Sequence, residues 1–448
     1  MSAAPAPDAK DPITHRGVFR IAYPIVLSNA TVPILGAVDT GVVGQMGAAA
    51  PIGAVGLGAV ILSTIYWIFG FLRMGTVGLT SQALGAGDRA EMSAILTRAL
   101  LVGFTVGIVM ILAQIPVFHA ALSLAPATDE VEALTREYLT IRIWSAPAAI
   151  GIYGLTGWLI AQERTKAVLW IQLWMNGLNM ALDVLFVLGF GWGVGGVAVA
   201  TLIAEWSGLA LALWLCRDAF VGPDWRNRAQ VLNPAPLKRM MLVSTDILIR
   251  SALLMTIFTS FQFVGAGLGD VPLAANQVLM QFLMITAYAM DGFAFAAETL
   301  VGQAMGAGQR ARLRRAALVT SHWGLATVLA LALAFALLGG PIIDLMTTAE
   351  DVRAEARSYL IWMVLAPPVG VAAWMLDGIF IGATRTRDMR NMMLVSFVIY
   401  CAAVAVLVPW LGNHGLWVAL LISFAARGIT LWLRYPALEE ATEKPAAA

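Results

Sequence analysis

Charge is scarce in this chain. Asp, Glu, Lys and Arg together make up 12% of its 448 residues, while 60% are apolar and the mean hydropathy is +0.80. A soluble globular chain is about half apolar and about a quarter charged. So little polar surface excludes a water-soluble particle, and most side chains must face lipid or other helices. A net charge of +1 gives no basic surface for nucleic acid. Cysteine is nearly absent: Cys216 and Cys401 each stand in or at the end of an apolar run, which excludes a disulfide framework and a thiolate metal site. Four scattered histidines, with no HExxH, GxSxG or Ser/His/Asp pattern, leave no hydrolytic machinery, and the chain reads as a non-enzyme. The glycine-rich GAGDR (85–89) and GAGQR (306–310) lack the lysine and hydroxyl of a phosphate loop. They read as helix ends, so neither a nucleotide nor any other cofactor is expected. The first 20 residues are polar and carry no apolar core of a signal peptide. Strand-type alternation is missing as well, which excludes a β-barrel.

Long apolar runs are what the chain has in abundance. A bilayer crossing by a helix takes about 20 residues. Twelve runs qualify, at about 20–43, 54–82, 93–118, 134–160, 167–190, 195–217, 240–264, 272–303, 315–338, 356–382, 392–411 and 415–434. With the N-terminus placed inside, from Lys10 to Lys444, the inner segments carry 21 Lys and Arg, and the outer segments carry only Arg136, Arg353 and Arg357. That bias puts both termini in the cytoplasm of a bacterial-type inner (plasma) membrane.

The chain also repeats itself. TSQALGAGDR (80–89) matches VGQAMGAGQR (301–310), and LTGWLIAQERTK (155–166) matches LDGIFIGATRTR (376–387), both at an offset of 221 residues. Each copy holds six spans, an even number, so both enter from the same side and form parallel repeats. The expected fold class is all-α integral membrane, with twelve transmembrane helices in two parallel six-helix repeats. The expected organisation is a tail at 1–19, an N-lobe at 20–217, a cytoplasmic linker at 218–239, a C-lobe at 240–435 and a disordered tail at 436–448. Such a pair of bundles is the architecture of a secondary transporter.

A charge at the bilayer centre costs about 2.5–3.5 kcal/mol on insertion scales, yet the spans hold several. The first half has Asp39, Arg73, Arg142, Asp183 and Glu205; the second has Asp246, Arg250, Asp291, Glu298, Asp377 and Arg427. The repeat does not carry them across: 221 residues beyond Asp39 stands Ser260, and beyond Asp183 stands Val404. The scaffold was duplicated and the acids were not. In the first half, Asp39 on span 1, Asn179 and Asp183 one turn apart on span 5, and Thr201 with Glu205 on span 6 form a candidate constellation of hard oxygen ligands. It suits a proton or a small cation such as Na+. A helix clamp is the alternative role for Asn179 and Asp183.

Asp246 and Arg250, four residues apart, are expected to pair with each other. Arg73 needs an acid, and Asp291 or Glu298 could supply it as a gate between lobes or as a static pair. Asp377 is a second-lobe candidate for gating or for a cationic substrate. Arg142 and Arg427 are expected to snorkel or pair. Pro24, fifteen residues before Asp39, permits a bend in span 1.

Several stretches taken in order resemble the multidrug and toxic compound extrusion (MATE) family, and its DinF branch in particular. They are YPIVLSN and VDTGVVGQMG on span 1, FLRMGTVGLTSQALGAGD on span 2, NMALDVLFV on span 5, MDGFAFAAETLVGQAMG on span 8 and LDGIFIGATRTRDMRN on span 10. The resemblance covers residues 15 to 435. It implies two lobes around a central V-shaped cavity open to one side at a time, and export of organic cations and other toxic compounds in exchange for H+ or Na+. It places the family's cation site on Asp39, Asn179, Asp183 and Thr201, and the family's bend in span 1 on Pro24. The expected partner is a small cationic, amphipathic substrate taken from or through the bilayer, handled by a monomer. Two other readings share the topology: a flippase of lipid-linked precursors, whose cavity would be basic, and a non-transporting scaffold. Seven intramembrane acids against four arginines favour a cationic cargo.

Overall fold

A computed structural model describes residues 12–125 and 127–443. Lys10, Lys444 and the ends of both tails lie outside the described residues. Among the described residues, twelve helices are long and apolar enough to cross a membrane: α1 His15–Gly44, α2 Ala49–Gly85, α3 Arg89–Leu112, α4 Asp129–Ala161, α5 Thr165–Gly189, α6 Gly193–Leu215, α7 Pro234–Gly267, α8 Asp270–Gly306, α9 Arg310–Met346, α10 Glu350–Gly382, α11 Thr386–Leu411 and α12 Asn413–Ala441. Helices answer the demand that lipid makes on the backbone, because every N–H and C=O must be bonded within the segment. Large apolar side chains such as Val60, Val109, Leu333, Leu337 and Val398 stay exposed on them, as a lipid-facing surface requires.

The structure adjusts the sequence-based boundaries where turn chemistry intervenes. The third run ends at Leu112, and a separate short helix, Gln114–Leu124, follows with Pro116 in its first turn, where the missing N–H costs nothing. The last helix runs to Ala441, so the start of the expected disordered tail is helical. Three spans are interrupted: α2 between Ile68 and Phe71, α4 by a 3₁₀ turn at Ile143–Ser145 just before Pro147, and α5 by a π turn at Val184–Gly189.

The helices sort into two compact units. The first contains Leu27–Thr76 and Asp88–Arg239; the second contains Val77–Gly87, everything from Met240 onward, and α1 up to Val26. Both α1 and α2 are therefore divided between units. In the first unit Leu96, Trp158, Leu159, Ile171 and Leu209 form an apolar centre, and Trp158 Nε1 donates to the Met92 carbonyl at 3.1 Å. The segment joining the halves is anchored rather than loose. Arg98, 2% exposed, donates from Nε to the Val231 carbonyl at 2.8 Å and from Nη2 to the Gln230 carbonyl at 2.7 Å, and is paired with Glu91. Thr97 donates to the Trp225 carbonyl at 2.9 Å.

The second unit is built on Phe261, Phe282, Phe335, Tyr400, Trp417 and Phe424. A reciprocal amide pair, Asn276 with Asn413 at 2.8 and 2.9 Å, and the Trp417 indole at 2.9 Å on Asn276 fasten α8 to α12. Repeat-related glycines make repeat-related contacts. A Cβ on Gly85 would stand 2.0 Å from the Gln303 carbonyl oxygen, and one on Gly306 would stand 2.0 Å from that of Gln82. Likewise Gly157 meets the Arg73 carbonyl at 2.6 Å and Gly378 meets that of Ala294 at 2.7 Å. Only a residue without a side chain permits such backbone approach.

Candidate functional site

The constellation read from the sequence is partly assembled in the first unit. Asp183 is the last residue of the α-helical part of α5, and the π turn begins at the next position. Such turns re-aim side chains and recur at functional sites. Stacked Phe186, Phe190 and Trp192 hold this turn, with Phe186 and Trp192 centroids 4.8 Å apart. The Asp183 side chain is fully buried and stands within hydrogen-bonding reach of the Asp39 carboxyl on α1. Among the described residues, no donor reaches either oxygen of Asp183, Oδ1 of Asp39, or either polar atom of the Asn179 carboxamide, all of them buried.

Four acceptor oxygens from two helices are thus turned inward without a donor. Two carboxylates cannot both keep their charge cheaply in such a place; a shared proton or a small hard cation resolves the conflict. The oxygens fit either. Among the described residues no group of three or more His, Cys, Asp and Glu side chains could hold a metal ion.

The other expected members take different places. The Thr201 hydroxyl donates to the Val197 carbonyl of its own helix at 3.0 Å and is not bonded to the carboxyl pair. Glu205 accepts from Arg142 at 2.9 Å, and the same guanidinium nitrogen donates to Ser145 at 2.8 Å. Arg142 acts electrostatically on both Asp39 and Asp183, so Arg142 with Glu205 is the immediate charged surround of the site. Asn176 joins α5 to α1 through a 2.7 Å bond to Thr31. It was not singled out beforehand, although Asn176, Asn179 and Asp183 share one helix face at spacings that the sequence displays. α1 runs unbroken through the buried Pro24, and the boundary between units falls between Val26 and Leu27, three residues on.

In the second unit the expected pairing of Asp246 with Arg250 is corrected. Asp246 binds Arg390 at 2.6 Å and the Thr386 hydroxyl at 3.0 Å, and Arg250 binds Asp377 instead. Four-residue spacing put the two on one helix, but each found its ion-pair partner on another helix. Arg427 also approaches Asp377, at 3.8 Å. Asp377 is therefore already committed to two arginines and is not a free acid for a cation. Arg73 and Asp291 are half-buried and Glu298 is buried, and each is engaged by other groups.

Twelve apolar helices with a duplicated packing pattern, and the buried Asp183 carboxyl facing Asp39, define a multi-pass membrane protein with a polar site inside its spans. The fold is that of the MATE transporter VcmN of Vibrio cholerae in its bent form, with a TM-score of 0.84 at 19% identity over 96% of this chain and 97% of that one. The chain is 36% identical over 434 residues to DNA damage-inducible protein F of Escherichia coli, which covers 94% of this chain and 93% of that protein. It is 28% identical over 441 residues to a probable multidrug resistance protein NorM of Bradyrhizobium diazoefficiens, covering 93% and 92%. The MatE family profile matches twice, at residues 24–185 and 247–407. The chain belongs to the MatE family of membrane transporters.

Proposed function

We propose that this chain is an exporter of small organic compounds that exchanges its cargo for H+ or Na+ at the Asp39–Asp183 pair. The observation that carries this reading is the pair itself: the buried Asp183 carboxyl faces the half-buried Asp39, and among the described residues no donor reaches Asp183. A purely structural clamp would satisfy its polar atoms, since an unbonded buried polar group is costly. The ion enters, occupies the pair and is displaced when cargo carrying a positive group competes for the same oxygens. Neutralising the pair changes what α1 and α5 can tolerate at their contact. Pro24 gives α1 a place to bend next to the boundary between units.

The orientation with both termini cytoplasmic rests on the basic residues at the inner ends of the helices. The relatives' names, a DNA damage-inducible protein and multidrug resistance proteins, support export rather than enzymatic work. The test is the purified chain in liposomes preloaded with a fluorescent organic cation, with a pH gradient and a sodium gradient imposed separately. Efflux driven by one gradient names the coupling ion, and efflux driven by neither overturns the proposal.

A further inference from the structure

The geometry points to an anion-binding site in the second unit, built from Arg250 on α7, Asp377 on α10 and Arg427 on α12. All three side chains are more than nine-tenths buried, with exposures of 7%, 5% and 2%. Arg250 donates to Oδ2 of Asp377, and Arg427 reaches the same oxygen at 3.8 Å, so one carboxylate oxygen serves two guanidinium groups. The remaining neighbours of Arg427 carry no charge: the Met393 sulfur at 3.8 Å and the Phe424 ring at 5.9 Å. The charges that act on Arg427 are those of Asp377 and Arg250.

Two positive charges against one negative leave the cluster with a surplus positive charge. Arginine does not shed its proton, so the surplus cannot be removed by titration. A buried charge without a counter-charge is strongly unfavourable, and a bound anion is the remaining remedy. The donors for it are present. Nε of Arg250 and Nε of Arg427 are buried, and among the described residues neither has a hydrogen-bond partner. Oδ1 of Asp377 is also without a donor and is the group an anion must avoid. Guanidinium N–H groups from two helices suit a compact monoanion, either the carboxylate of an organic compound or a chloride ion. The neighbouring Asp246–Arg390 pair is balanced one to one and offers no such surplus.

The test is equilibrium binding of radiolabelled benzoate to the detergent-purified full chain in potassium sulfate buffer, with chloride as competitor. It reads occupancy directly, so it stands or falls independently of whether an ion gradient drives efflux. Saturable benzoate binding that chloride leaves unchanged assigns the site to organic carboxylates; displacement by chloride assigns it to small inorganic anions. Arg427→Gln neutralises the surplus and is expected to weaken binding roughly tenfold or more, whereas Asp377→Asn increases it and is expected to tighten binding by a similar factor. Loss of fold would not move the two variants in opposite directions, and Arg427→Lys, which keeps the charge, retains binding. Absence of saturable binding of either anion to the unmodified chain, or weaker binding by Asp377→Asn, overturns the site.

Discussion

The two units arrange their buried charges differently. In the first, Asp39 and Asp183 face each other beside Arg142, and Glu205 takes the Arg142 guanidinium directly. In the second, Asp377 stands against Arg250 and Arg427. Yet the backbones carry the same contacts, down to the repeat-related approaches of Gly157 and Gly378. Duplication kept what the helices need in order to pack and freed the buried charges to diverge. A scaffold that only held helices together would have no reason to face two carboxyls together at one place and to set two arginines on one carboxylate at another. Of the seven acids in the spans, Glu205, Asp246 and Asp377 are paired with arginine, whereas Asp39 and Asp183 face each other.

The comparison can be broken at several strengths. The largest stability effect is expected at Arg142. Replacing it with Leu leaves Glu205, whose side chain is 14% exposed, without its partner, which should lower stability by about 2–4 kcal/mol. The double variant Arg142→Leu, Glu205→Leu should recover most of that loss, because removing both charges removes the conflict. Thermal unfolding in detergent reads both, and a double variant as unstable as the single one would show that the pair is not what the arginine serves. A smaller effect is expected at the balanced pair of the second unit. Asp246→Asn leaves Arg390, whose side chain is 30% exposed, able to turn toward water, so the loss should be about 1 kcal/mol. A loss as large as that at Arg142 would mean that the two units bury their ion pairs equally.

Much of this was legible in the sequence, and for physical reasons. Apolar runs of bilayer length and a lysine and arginine bias do not depend on tertiary contacts, so the twelve spans could be counted before any coordinates. A carboxylate in an apolar run is conspicuous for the same reason, and Asp39 and Asp183 were visible by polarity alone. Partner choice was not. Asp246 finds Arg390 144 residues away and Arg250 finds Asp377 127 residues away, and local spacing argued for the wrong pair. Arg98 reads as an inner-edge charge for topology, yet it is buried and anchors the connecting segment. The π turn after Asp183 also escaped, because a single wide turn leaves no mark on an apolar sequence beyond the glycines that follow it.

The carboxyl pair of the first unit is the central claim. Its most direct test is cation efflux from liposomes carrying the Asp39→Asn, Asp183→Asn double variant, with pH and sodium gradients imposed together and protein abundance matched to the unmodified chain. The pair's removal should reduce gradient-driven efflux to the level of protein-free liposomes while the variant still inserts and folds. Efflux at the rate of the unmodified chain would contradict the account.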